Sequence, residues 1–131
     1  MKLIPIFYLF KIGINLKMCN KGVMNSKIVV VDNIKILDKG AYPRVVNYTA
    51  TWCGPCRKIA PFLDQLSIKY TNVHFFKVDI DEHADHAMNK KISSVPTFYF
   101  YKDILSEPVI VKGANEIAIL KEVVKLLEPK Y

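Results

Sequence analysis

The chain has 131 residues, a formal charge of +7 at pH 7 and 51 % hydrophobic residues. That length suits one domain with a sizeable core, and that apolar content excludes a disordered chain. The charge at first suggests nucleic acid or a membrane surface, but Lys2, Lys11, Lys17, Lys21 and Lys27 all fall in residues 1–31, which hold no acid. Residues 32–131 carry only +2, and Arg44 and Arg57 are the two arginines. The sequence therefore carries no nucleic-acid footprint and a weak phosphate-binding case.

The chain opens on Lys2 and the run Leu3-Ile4-Pro5-Ile6-Phe7-Tyr8-Leu9-Phe10, then Lys11 and a second apolar patch from Ile12 to Leu16. A positive start and a short apolar run resemble a secretory signal. The run falls short of the roughly 20 residues that span a bilayer, so no stable membrane span is expected. An organelle presequence is the rival reading, but it calls for arginine and serine, and residues 1–31 hold no arginine and one serine. Residues 1–25 are read as a leader and 26–131 as the folded domain. The expected destination is the secretory route, an extracytoplasmic or vacuolar compartment, with organelle import as the alternative. Cys19 lies in the leader and is assigned no role.

Ile28–Val31 reads as a first strand, followed by a short helix or turn from Asp32 to Lys39. Arg44–Ala50 is β-branched and aromatic and predicts a strand. Apolar spacing predicts a helix from Arg57 to Tyr70, with Pro61 inside it. Val73–Asp79 predicts a strand and Glu82–Lys91 a helix. Thr97–Tyr101 and Val109–Val111 predict the last two strands. Gly113 breaks the pattern, and Glu116–Leu127 predicts an amphipathic helix.

Between the strand at 44–50 and the helix after it stands Trp52-Cys53-Gly54-Pro55-Cys56. Two cysteines three apart on a strand-to-helix turn fit a redox pair. Cys53 falls at a helix N-terminus, where free N–H groups and the dipole favour an anion. It is expected to ionise more readily than a free thiol and to act as nucleophile. Cys56, one turn on, is expected to resolve the mixed disulfide. Gly54 is expected to give the turn room, and Pro55 suits a first helical turn. A zinc site would need two more ligands. His83 and His86 are three apart, but Asp81-Glu82-His83-Ala84-Asp85-His86 reads more simply as a solvated helix start with acids placed for the dipole. No metal is expected. Glycines number five and form no dinucleotide fingerprint, so the redox couple is expected to be the Cys53–Cys56 disulfide itself, with no separate cofactor.

From about residue 26 onward the chain resembles a thioredoxin. The markers are the Trp-Cys-Gly-Pro-Cys motif, the stretch Ser94-Val95-Pro96-Thr97, and Gly113-Ala114 before the last helix. The resemblance implies an α/β fold, a central mixed sheet of five strands flanked by helices. It implies a cis Pro96 opposite the Cys53–Cys56 pair. The backbone of Val95 would then be free to pair with an extended substrate chain. Trp52, Gly54, Pro55, Val95, Pro96, Gly113 and Ala114 would form an apolar lip around Cys53.

The chain departs from that pattern at three positions. Thioredoxins commonly carry a buried aspartate six residues before the first cysteine, and here Asn47 stands there. An amide cannot serve as that base, so the resolution step is expected to be slower or shifted in pH. Lys77, which would face the acid, is expected to reach solvent instead. Thr49 replaces a common aromatic residue, so looser packing is expected behind the motif. Asn47-Tyr48-Thr49 is formally a glycosylation sequon, but in a central strand it is expected to be unused.

The expected function is reduction of protein disulfides, with a flavoprotein reductase or another dithiol as electron donor. The Gly-Pro dipeptide favours the reducing end of the scale, about −270 mV against about −180 mV for isomerases. The leader motivates one alternative, an oxidant or isomerase of a secretory compartment. The leader and Asn47 motivate another, an accessory subunit of a protein export or translocation assembly.

Overall fold

The computed structural model describes residues 25–129. The leader reading, the Lys2–Leu16 apolar runs and Cys19 lie outside these residues, apart from Asn25 at the boundary.

The described chain runs β1 (Val29–Val30), a 3-10 turn (Ile34–Leu37), β2 (Arg44–Thr49), α1 (Gly54–Lys69) and β3 (His74–Asp79), then α2 (Ala84–Asn89), β4 (Thr97–Tyr101), β5 (Val109–Lys112) and α3 (Glu116–Leu126). The five strands form one mixed sheet in the order β1-β3-β2-β4-β5. β1, β3 and β2 run parallel, while β4 is antiparallel to β2 and β5 to β4. This is the sheet the resemblance implies. Parallel neighbours need a helical crossover, and α1 supplies the one between β2 and β3.

β2 lies at the centre and is covered on both faces, so all its residues but the half-buried Asn47 are buried, including the polar Arg44 and Thr49. Val45 points to the side packed by α1 and α3, where Ile59, Phe62, Leu66, Ile119 and Val123 close on Phe98 and Phe100. Val46 and Tyr48 point to the other side and pack with Val31, Leu37, Phe76, Val78 and Tyr99. The aromatic run in β4 splits the same way: Phe98 and Phe100 enter the first core, and Tyr99 enters the second.

Several element ends differ from the expected ones. α1 starts at Gly54, three residues earlier than the apolar spacing indicates. Pro55 needs no hydrogen-bond acceptor in the first turn, and the Cys53 sulfur caps the helix by accepting from the Cys56 N–H at 3.2 Å. Pro61 lies on the solvent side, and the helix continues through it. α2 is shorter than expected. Its C-terminal side is closed at Lys91, whose φ of 56° is left-handed.

The histidines are not a solvated helix start. The His83 imidazole Nε2 donates to the Val31 carbonyl at 2.8 Å, and His86 Nε2 lies 3.0 Å from the Tyr48 hydroxyl. The two rings fasten α2 to the sheet. Among the described residues no group of three or more metal-ligating side chains forms. On the opposite end of the same face, Arg44 is buried. Its guanidinium donates to the Leu37 carbonyl at 2.6 Å and lies over the rings of Tyr42 and Tyr101 at 4.4 and 5.0 Å.

Burial, then the nearby Lys90 and His83, push His86 below its usual pKa of 6.5, against a weaker opposing pull from Asp38. The unfolded chain then binds the proton more readily than the folded one, so stability is complete above about pH 6.5 and falls as pH drops below it. The urea midpoint should be lower at pH 5.5 than at pH 7.5, and His86→Gln should shrink that difference. Phe98 is fully buried, and Phe98→Ala should cost about 3–5 kcal/mol in the same denaturation experiment.

Candidate functional site

The site is built where β2 hands the chain to α1. The strand ends at Thr49, and a tight turn follows in which the Cys53 N–H donates to the Ala50 carbonyl at 3.2 Å. Arg57 Nη1 closes the turn by donating to the Thr51 carbonyl at 2.9 Å. Cys53 takes extended backbone as N-cap, and Cys56 falls in the first turn of α1. A disulfide joins them, with their Cα atoms 5.3 Å apart. Both are buried, Cys53 at 4 % and Cys56 at 7 % exposure, and they pack with Ala50, Ile80 and Val95.

The loop before β4 faces this pair. The Val95–Pro96 peptide bond is cis. The Val95 carbonyl oxygen lies 3.6 Å from the Cys53 sulfur. The Thr97 hydroxyl donates to the Ser94 carbonyl at 2.7 Å, and the Gly113 N–H donates to the Pro96 carbonyl at 2.8 Å. Gly113 sits at φ +93°, a backbone that side-chain-bearing residues rarely adopt. That position therefore requires glycine. Ala114 follows it in the open.

Gly54 differs from its expected role. A Cβ placed there would meet no heavy atom within 4 Å, and its backbone is not left-handed. The turn does not need glycine's freedom, because the residue already sits in the first helical turn.

Trp52 is 64 % exposed, and its indole N–H donates to Asp81 Oδ2 at 2.9 Å. Asp81 belongs to a turn organised by Asp79, whose Oδ1 accepts from the Asp81 N–H at 2.8 Å and the Glu82 N–H at 3.4 Å. From the sequence alone Asp79 reads as the end of a strand, and Asp81 and Glu82 as helix-dipole partners. The signal available is an aspartate at a strand's end, where it commonly folds the chain on itself.

Asn47 and Lys77 are register partners across β2 and β3. Lys77 is exposed, in line with its expected reach to solvent. The Asn47 Oδ1 is shielded from solvent and has no hydrogen-bond partner among the described residues. Next along the strands stand Thr49 and Asp79, again opposite each other. Beside them opens a cavity of about 360 Å³, lined by Thr49, Cys56, Arg57, Lys77, Asp79 and Glu82 among others. A small side chain at Thr49 leaves this space open behind the second cysteine.

Comparison with known proteins agrees with this geometry. The thioredoxin family model matches residues 27–126. Thioredoxin-3 of Dictyostelium discoideum is 49 % identical over 98 residues, covering 72 % of this chain and 91 % of that protein. Thioredoxin Asp f 28 of Aspergillus fumigatus is 41 % identical over 104 residues, covering 77 % and 94 %. The crystal structure of thioredoxin NaTrxh from Nicotiana alata superposes with a TM-score of 0.72 at 29 % identity, covering 83 % of this chain and all of that one. Such proteins are thiol-disulfide oxidoreductases whose redox couple belongs to the chain itself. With its disulfide at the head of α1 and a matching five-stranded sheet, this chain belongs to the thioredoxin family.

Proposed function

We propose that the protein reduces protein disulfides by dithiol–disulfide exchange, with Cys53 as nucleophile and Cys56 as resolving thiol. The observation that carries this reading is the position of Cys53. It caps α1 and lies 3.6 Å from the Val95 carbonyl beside a cis proline. In the reduced protein the free N–H groups of the first turn favour a thiolate on Cys53.

That thiolate attacks one sulfur of a substrate disulfide, and the other sulfur leaves as a thiolate. Cys56 then attacks the Cys53 sulfur. The mixed disulfide breaks, the Cys53–Cys56 bond closes, and the second substrate sulfur leaves. Two electrons have passed to the substrate. A reductase or a dithiol donor restores them.

Substrate docking is assigned to the surface around Cys53. The Val95 backbone offers an extended substrate chain a pairing edge. Trp52, Pro55, Val95, Pro96 and Ala114 supply apolar contact, and Gly54 and Gly113 keep the approach clear of side chains. Trp52 suits this role because its ring is exposed yet held in place by Asp81. The partners this reading calls for are disulfide-bearing proteins and an electron donor.

Equilibration against glutathione should place the Cys53–Cys56 couple near about −270 mV, and a value near about −180 mV would favour an oxidant or isomerase instead. Cys53→Ser should abolish reduction of insulin disulfides, and retained activity would overturn the assignment of the nucleophile. Asn47 and Lys77 are assigned a modulating role. Asn47→Asp would place a buried carboxyl of raised pKa on the α1 side of β2, suited to accept a proton near neutral pH. Turnover near pH 7 should rise by about tenfold, and an unchanged pH–rate profile would refute that role.

A further inference from the structure

Cys56 must lose a proton before it can resolve a mixed disulfide. Cys56 is 7 % exposed, so its sulfur meets little bulk water. Asn47, on the same face of β2, carries an amide with no basic atom. The Thr49 hydroxyl is a poor base. The cavity of about 360 Å³ is the opening that Cys56 does share, and its charged lining residues are Arg57 of α1, Lys77 and Asp79 of β3, and Glu82 of the following turn. Its size and these charged side chains suit it to hold water.

We propose that Asp79 is the proton acceptor for Cys56, reached through water in this cavity. The inference rests on the reductase reading and assigns the residue that serves its second step. Asp79 is favoured over Glu82 by placement. It is half-buried on β3, opposite Thr49, and the N–H groups of Asp81 and Glu82 hold its Oδ1. Glu82 is exposed at the rim. Arg57 and Lys77 place positive charge on the same cavity and favour the thiolate that forms there.

In this step the Cys56 S–H proton passes through water to the Asp79 carboxylate. The Cys56 sulfur pair forms the bond to Cys53, and the bond from Cys53 to the substrate sulfur breaks. The departing substrate thiolate carries the electron pair and takes its proton from solvent. Asp79 returns its proton to solvent through the mouth of the cavity.

Asp79 acts on Cys56 from a distance, so the test must separate the two thiols. Reduced full-length protein carrying Cys19→Ser is mixed with 5,5′-dithiobis(2-nitrobenzoate). The first aromatic thiolate reports attack by Cys53 and the second reports resolution by Cys56. Asp79→Asn keeps the carbonyl oxygen that accepts from Asp81 and Glu82 but cannot take a proton. It should slow the second phase at pH 7 by about tenfold and move its pH midpoint upward, while the first-phase rate and the urea midpoint stay at their wild-type values. Asp79→Glu should retain most of the wild-type second phase, and adding Asn47→Asp to Asp79→Asn should restore it. An unchanged second phase in Asp79→Asn overturns the proposal, as does equal slowing of both phases, or slowing confined to Glu82→Gln. If the unsubstituted pair releases no first-phase thiolate, the reductase reading fails with it. If the first phase is normal and only the Asp79 effect is missing, the reductase reading stands and the relay alone fails.

Discussion

Everything in this molecule hangs on β2 being enclosed. The strand pairs on both edges, in parallel with β3 and antiparallel with β4, and is covered on both faces. A strand held on four sides has one conformation, and so does the turn at its end. A small exchange couple needs that constancy, because two sulfurs must sit within bonding reach in one state and stay positioned for attack in the other. The helix that follows is fixed as firmly. Ile59, Phe62, Leu63 and Leu66 bury one side of α1 against the sheet.

The second half of the site comes from remote parts of the chain. Val95 and Pro96 arrive forty residues after the cysteines, and Gly113 arrives later still. They are brought together by the pairing of β4 with β2 and of β5 with β4. The Gly113–Pro96 hydrogen bond then ties the end of β5 to the loop that faces Cys53. The rim opposite, with Trp52 and Asp81, belongs to the β3 side of the sheet. The cysteines therefore lie between two structural arms, each anchored to its own neighbour of β2.

Local chemistry made much of this legible beforehand. The aromatic run 97–101 reads as a strand because its residues suit a pleated surface, and the structure places that strand at the same residues. The apolar stripe of α3 is legible only in part: of Ile117, Leu120, Val123, Val124 and Leu127 the middle three are buried, Ile117 and Leu127 are exposed, and Ile119 and Leu126 complete the buried face. The start of α1 is legible from its cap rather than from its spacing. The apolar period begins only at Arg57, but Pro55 suits a first helical turn and Cys53 a helix N-terminus, and the helix begins at Gly54. His83 and His86 looked like surface residues because their partners, Val31 and Tyr48, lie 52 and 38 positions away. The cavity behind Cys56 was invisible for the same reason, since α1, β2 and β3 must assemble before it exists.

One consequence concerns the sequon Asn47-Tyr48-Thr49. Asn47 is in the central strand, its amide oxygen is sealed from solvent, and Tyr48 is fully buried. The side chain is half-buried on the face that α1 packs, and both edges of the strand are taken. An enzyme that adds a sugar needs the asparagine in an accessible, unpaired segment, so it would have to reach the chain before β2 closes between β3 and β4. For this polypeptide, prompt collapse of the sheet is also protection of its own asparagine.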